Sequence, residues 1–286
     1  MTFKHALVRL LNRRILPRWR LVLRKSGHDG DDFIVSEKFR QVLIEDIRDR
    51  LLPFVSREAR LLPEDAGARL YQMIEDFFRL YRERPVRDNA GGSGFNGSLT
   101  LYVLARLLAP RLIVESGTWQ GHSAWLLAAA CPGAEVHSFD IEHANLLYRD
   151  PRVTYHLGDW TGTDLGRPDP AEALVFFDDH VSHAQRLREA ATRGYRTLIL
   201  DDNVPAQALY ATGLPPVPTV DMLFDARVKP GDEIEWRYRG RLQRFVCRPA
   251  DWTAAALVRE YHKAPPLADV SFYRPHIGLS LVRLGD

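Results

Sequence analysis

The side chains able to do chemistry are concentrated in five short stretches. They are Glu115, Gly117, Gly121 and Ser123 close together, then Asp140, then Asp159 beside Trp160, then Asp178, Asp179 and His180 with His183 one turn on, and last Asp201, Asp202 and Asn203. Glycines in a turn let a ligand approach the backbone, and the N-terminus of a following helix offers unpaired N–H groups. A carboxylate such as Asp140 suits the two hydroxyls of a ribose, and Asp159 is an acceptor next to an aromatic face. Crowded carboxylates repel one another and raise their own pKa values. A hard divalent cation such as Mg²⁺, bound through oxygen, relieves that repulsion. Helix capping competes as an explanation, but it accounts for one Asp per strand end rather than two successive doublets. An imidazole titrates near about 6.5, so His180 and His183 are the candidate bases, of which one is expected to matter. His137, Trp119, Trp125 and Cys131 read as packing residues, and His122 as a bystander.

These stretches sit where strands should end. Residues 112–116, 135–140, 153–156, 173–177 and 197–200 are short apolar strands, separated by helical segments at 123–130 and 184–193. Strands joined by helical crossovers imply an α/β, doubly wound, mostly parallel sheet. In such sheets ligands bind beyond the carboxyl ends of the strands. Segments 233–238, 244–247 and 276–282 are expected to add an antiparallel edge. Upstream, Phe39, Val42, Leu43, Ile47 and Leu51 have helical spacing up to Pro53, and Leu70, Ile74, Phe77 and Phe78 repeat it. Residues 28–86 thus form a helical cap, followed by a Gly/Asn/Ser-rich loop at 87–98 expected near the ligand. The Pro-rich stretch 210–224 either shapes an acceptor pocket or is a plain crossover.

Glu115, Gly117, Gly121 and Ser123, with Asp140 and Asp159 on the next strands, resemble the motifs of class I S-adenosylmethionine-dependent methyltransferases across about residues 87–205. The resemblance implies a seven-stranded Rossmann-like methyltransferase fold over residues 87–286, with those six residues binding the cofactor. It is nearest to metal-dependent O-methyltransferases of small molecules and sugars and to the cephalosporin-hydroxylase-like group. That likeness implies a divalent cation on Asp178, Asp201 and Asp202; a catechol-type alignment would use Asp202 and Asn203 instead, and Asp178 is preferred over Asp179. The catechol-type lysine is missing, which leaves a histidine as base. The implied activity is transfer of a methyl group to a hydroxyl of a sugar or other small polar acceptor. The alternative is a protein of this fold that does not transfer methyl groups. A dinucleotide fits less well, because its fingerprint needs a third glycine.

Composition sets outer bounds. The chain has 286 residues and a formal net charge of +2. Its ordinary apolar content excludes wholesale disorder, and no apolar run is long enough to span a membrane. Two cysteines make no disulfide framework and no zinc motif, which suits a reducing, cytoplasmic setting. Residues 1–25 carry eight Lys/Arg and no acid, leaving a mildly acidic body. Residues 1–27 therefore read as a broken basic amphipathic helix. It is expected either at the inner face of a membrane or packed on its own domain or a partner subunit of a homo-oligomer. Nucleic acid is a disfavoured partner, since the body is acidic.

Overall fold

The computed structural model describes residues 34, 36–166, 169, 171–212, 214–273 and 278–285. The basic segment 1–27 lies outside these residues, as do the first residues of the predicted cap. Among the described residues no helix is long and apolar enough to cross a membrane.

Two helices open the described chain: α1 (Glu37–Pro53) and α2 (Gly67–Arg82). In α2 the buried positions Leu70, Ile74, Phe77, Phe78 and Tyr81 recur every three or four residues, the predicted stripe. In α1 the stripe is rotated from the predicted one: Ile44, Ile47 and Leu51 are buried, while Phe39 and Val42 are exposed. Both helices, with α3 (Phe95–Leu108), share one apolar cluster with Ile113, Leu126, Val136 and Phe176 of the sheet region. They therefore cover a sheet face rather than the strand ends. Each fully buried aliphatic or aromatic side chain in that cluster contributes about 1.5–3 kcal/mol by leaving water.

The parallel strands are β1 (Leu112–Ser116), β2 (Glu135–Asp140), β3 (Val153–Leu157), β4 (Ala173–Phe177) and β5 (Thr197–Leu200). Helices α4 (His122–Ala130) and α5 (His183–Thr192) follow β1 and β4. Strands β1 and β4 are buried almost throughout, as a parallel sheet covered on both faces requires.

The predicted edge is drawn differently. Strands β6 (Glu233–Tyr238) and β7 (Arg241–Val246) pair only with each other, as a separate hairpin. The edge is made by β8 (Val258–Lys263), which was not predicted, and by β9 (Ser280–Leu284), which overlaps the predicted 276–282 segment and is antiparallel as expected. The seven-stranded sheet runs β3-β2-β1-β4-β5-β9-β8, with β9 antiparallel to both neighbours. Setting the hairpin aside, this is the strand order of the class I methyltransferase fold, including its single reversed strand. The order turns between β1 and β4, which places a topological switch point beside the first glycine turn.

Candidate active site

A cleft of about 1330 Å³ opens at that switch point. Ser116 ends β1 and Gly117 follows it into the floor, Asp140 ends β2, Asp159 follows β3, Asp178 to Val181 follow β4, and Asp201 and Asp202 follow β5. Loop residues Gly91, Gly92 and Ser93 also line it, as expected of the 87–98 segment, and so do Ala211, Thr212 and Leu214 of the Pro-rich stretch. No residue of α1 or α2 does.

The glycine turn is built for its own packing. Gly117 has φ +106°, and a Cβ there would lie 2.3 Å from the Asp178 carbonyl oxygen, so the β1 and β4 turns touch. A Cβ on Gly121, at φ +88°, would lie 2.2 Å from the Tyr148 carbonyl oxygen. Of the predicted cofactor residues, Gly117, Asp140 and Asp159 line the cleft, whereas Glu115, Gly121 and Ser123 do not. Glu115 is fully buried beneath the floor and accepts a hydrogen bond from Ser138. Burial pushes its carboxyl up to about 7. Ser123 is buried in the first turn of α4.

Asp140 is held by the backbone: the Trp119 N–H donates to one oxygen at 2.9 Å and the Glu142 N–H to the other at 3.2 Å. Each oxygen keeps a lone pair for a ligand. Trp119, read from sequence as packing, is 40% exposed and lines the cleft, its indole N–H bonded to the Ala90 carbonyl at 3.2 Å. Ile141, 79% exposed next to Asp140, adds an apolar surface to the same wall. Neither Trp119 nor Ile141 carried a sequence signal beyond its place next to a motif.

Arg186 was missed as a site residue. It is 1% exposed, and its guanidinium reaches Asp159 and Asp179 at 2.7 Å each and Glu189 at 2.6 Å. It also lies 5.5 Å from the Phe177 ring centroid. Burial opposes charge on Asp159, but Arg186 and Thr161 outweigh it and hold the carboxyl down at about 2. Asp159 is therefore committed to an ion pair, which weakens its assignment as a free acceptor for a base.

The two histidines separate cleanly. His183 is buried, its Nε2 3.0 Å from the Asp201 carbonyl and its Nδ1 accepting the Val220 N–H at 3.2 Å. Burial lowers its pKa to about 4. With both ring nitrogens turned to backbone, His183 is engaged in structure, which leaves His180 as the candidate base of the two. His180 lines the cleft with its Nδ1 3.2 Å from Asp202 Oδ2. The hydrogen bond to Asp202 raises its pKa against the opposing effect of burial.

The predicted metal trio is not assembled. Among the described residues no three His, Cys, Asp or Glu side chains converge on one point as metal ligands would. Asp202 turns to His180, Asp201 accepts the Asp202 N–H at 2.7 Å, and Asp179 belongs to Arg186. Arg186 thus answers the charge of Asp179, and His180 faces that of Asp202. Asp178 is the exception: burial first, then Asp201, Asp202, Glu115 and Asp179, raise its pKa well above the carboxylate range. Asn203 is buried and spent on structure, its amide N–H groups donating to Tyr261 and Ser280 at 2.7 Å each and its Oδ1 accepting the Asp221 N–H at 2.8 Å, which weakens the catechol-type alternative.

Backbone strain is concentrated here too. Of the seven described non-glycine residues with positive φ, four line the cleft: Trp119, His180, Asp202 and Arg239. Such conformations persist where the surrounding structure enforces them, and functional sites are a common place for them.

No family model and no curated protein matches the chain. Solved structures do. The O-methyltransferase TomG from Streptomyces achromogenes, in complex with SAM, is similar at 17% identity and a TM-score of 0.40 over 75% of this chain and 90% of that one. Cofactor-bound Rv0187 from MTB is 17% identical with a TM-score of 0.39, over 78% and 92%. The cmcI-N160 SAH structure is 18% identical with a TM-score of 0.35, over 40% of this chain and 63% of that one. The fold is assigned here on its strand order.

Proposed function

We propose that the chain is an S-adenosylmethionine-dependent O-methyltransferase whose acceptor is a hydroxyl of a sugar or other small polar molecule. The observation that carries this reading is one cleft at the switch point with a backbone-held Asp140 on one wall and the His180–Asp202 pair on another. Asp140 is placed to take the ribose hydroxyls, with Ile141 and Trp119 as apolar surfaces beside the base. When bound, the cofactor supplies an electrophilic sulfonium methyl to an acceptor oxygen attacking in line. That oxygen must lose its proton, and His180 accepts it at Nε2, because Nδ1 is turned to Asp202. Asp202 fixes the ring orientation and stabilises the imidazolium that forms, the role a carboxylate plays beside a general-base histidine. No step is assigned to a divalent cation, since the carboxylates do not converge.

The test is incubation with methyl-labelled cofactor and a panel of hydroxyl acceptors, with and without EDTA. Transfer in both conditions is expected. Loss of transfer on chelation would restore the cation, and cofactor binding with no transfer to any hydroxyl would remove the catalytic half of the reading. Asp140→Ala should weaken cofactor binding about tenfold or more by calorimetry, with unchanged circular dichroism, because a charged hydrogen-bond acceptor is lost and no core is opened.

A further inference from the structure

The β6–β7 hairpin is pinned by a small apolar cluster of its own, with Ile234, Trp236 and Phe245 packed against Val204, Leu209, Met222 and Cys247. Its register pairs Ile234 with Phe245, Trp236 with Gln243 and Tyr238 with Arg241. Directly opposed residues of an antiparallel pair share a face. The anchored face therefore runs from Ile234 and Phe245 through Trp236 and Gln243 to Tyr238 and Arg241 at the tip. That tip reaches the cleft, where Tyr238, Arg241 and Gln243 are joined by Arg239 from the turn.

Arg239 and Gly240 make a two-residue turn with φ of 47° and 79°. Such turns favour Asn, Asp or Gly at the first position, so arginine is not what the turn itself asks for. Nor is the charge paired with a carboxylate: Arg244 pairs with Glu233, whereas Arg239 and Arg241 have no carboxylate partner among the described residues. The Arg239 guanidinium lies 5.1 Å from the Tyr238 ring centroid. The same cleft is also lined by Asp140, Glu142, Asp178, Asp201 and Asp202. The cleft thus carries both signs of charge: carboxylates suited to a cationic sulfonium nucleoside, and two guanidinium groups with no carboxylate partner among the described residues.

We infer that the acceptor carries an anionic group, phosphate or carboxylate, held by Arg239 and Arg241 while its hydroxyl faces His180; this rests on the methyl-transfer reading above. A guanidinium presents a planar fork of donors that matches either anion, and Tyr238 and Gln243 add neutral donors beside it.

Inorganic pyrophosphate titrated calorimetrically into the full chain, loaded with S-adenosylhomocysteine at low salt, probes the anion site without knowledge of the acceptor. The R239Q/R241Q double variant should raise its Kd about tenfold or more, while R237Q, on the outward face of β6, should leave it unchanged. Equal weakening by both would show general attraction to a basic surface and overturn the assignment, as would no change in the double variant. Matched acceptors form the second arm: glucose 6-phosphate against glucose, and 3,4-dihydroxybenzoate against catechol. Preference for the anionic member, lost in R239Q/R241Q through KM with kcat retained, supports the proposal. Preference for the neutral members overturns it, and so does tighter binding of a single-stranded oligonucleotide than of any small anion. Failure of S-adenosylhomocysteine to bind, with pyrophosphate binding still dependent on Arg239 and Arg241, would strike the methyl-transfer reading alone.

Discussion

His180 and His183 stand three residues apart, yet of the two only His180 lines the cleft. Replacing His180 with Gln should lower kcat by about 10²–10⁴-fold with cofactor affinity retained, which single-turnover rates and calorimetry would separate. His183→Gln should spare the chemistry instead. It should reduce stability by about 1–3 kcal/mol in urea denaturation, because the Asp201 carbonyl or the Val220 N–H loses its buried partner. Arg186 makes the same point for charge. Arg186→Met should cost about 3–5 kcal/mol, since Asp159, Asp179 and Glu189 would share a buried or half-buried region without their cation. A loss below about 1 kcal/mol would show those carboxylates to be solvated. Nothing in the spacing around Arg186 marks it, because an arginine on an amphipathic helix ordinarily lies on the solvated face. The aspartates were legible at the strand ends. Their repulsion pointed to a metal, and the cation that answers its Asp179 share comes from α5, which the spacing did not mark.

At the scale of elements, the first strand–turn–helix unit is the part most tightly specified. Gly121→Ala should destabilise by about 1–3 kcal/mol from the left-handed backbone alone, and by more because the Tyr148 carbonyl must move. Gly121 does not line the cleft, so the cofactor Kd of whatever fraction remains folded should change little; a large Kd change with full stability would return this glycine to ligand contact. The parallel strands were readable because each is a short apolar run bounded by turn residues. The edge was not. Strand β8 has Arg259, Glu260, His262 and Lys263 among its six residues, and its register shifts between Val258 and Glu260, so no alternation survives. Strands β6 and β7 do alternate, but alternation says only that one face is covered and leaves open what covers it. The partner here is a local cluster rather than the sheet, a long-range choice that no window of sequence contains.

For the whole molecule, two buried groups in neighbouring elements set opposite pH limits on stability. Burial raises Glu115 from 4.5 to about 7. Its contribution is therefore fully present below 4.5 and lost as pH rises through about 7, where the folded chain must carry a buried carboxylate. His122 runs the other way. Burial, then Arg84, lowers it from 6.5 to about 3, so its contribution is present above 6.5 and lost as pH falls toward 3. The two slopes oppose each other between 4.5 and 6.5; His183, lowered from 6.5 to about 4, adds to the His122 slope and Asp178 to that of Glu115. Glu115→Gln keeps the hydrogen bond from Ser138 while removing the titration. Relative to wild type it should gain on the order of 3 kcal/mol in going from pH 4 to pH 8, read from urea denaturation of cofactor-free protein. An unchanged difference between variant and wild type at the two pH values would mean that water reaches Glu115 and that the floor of the cleft is not closed.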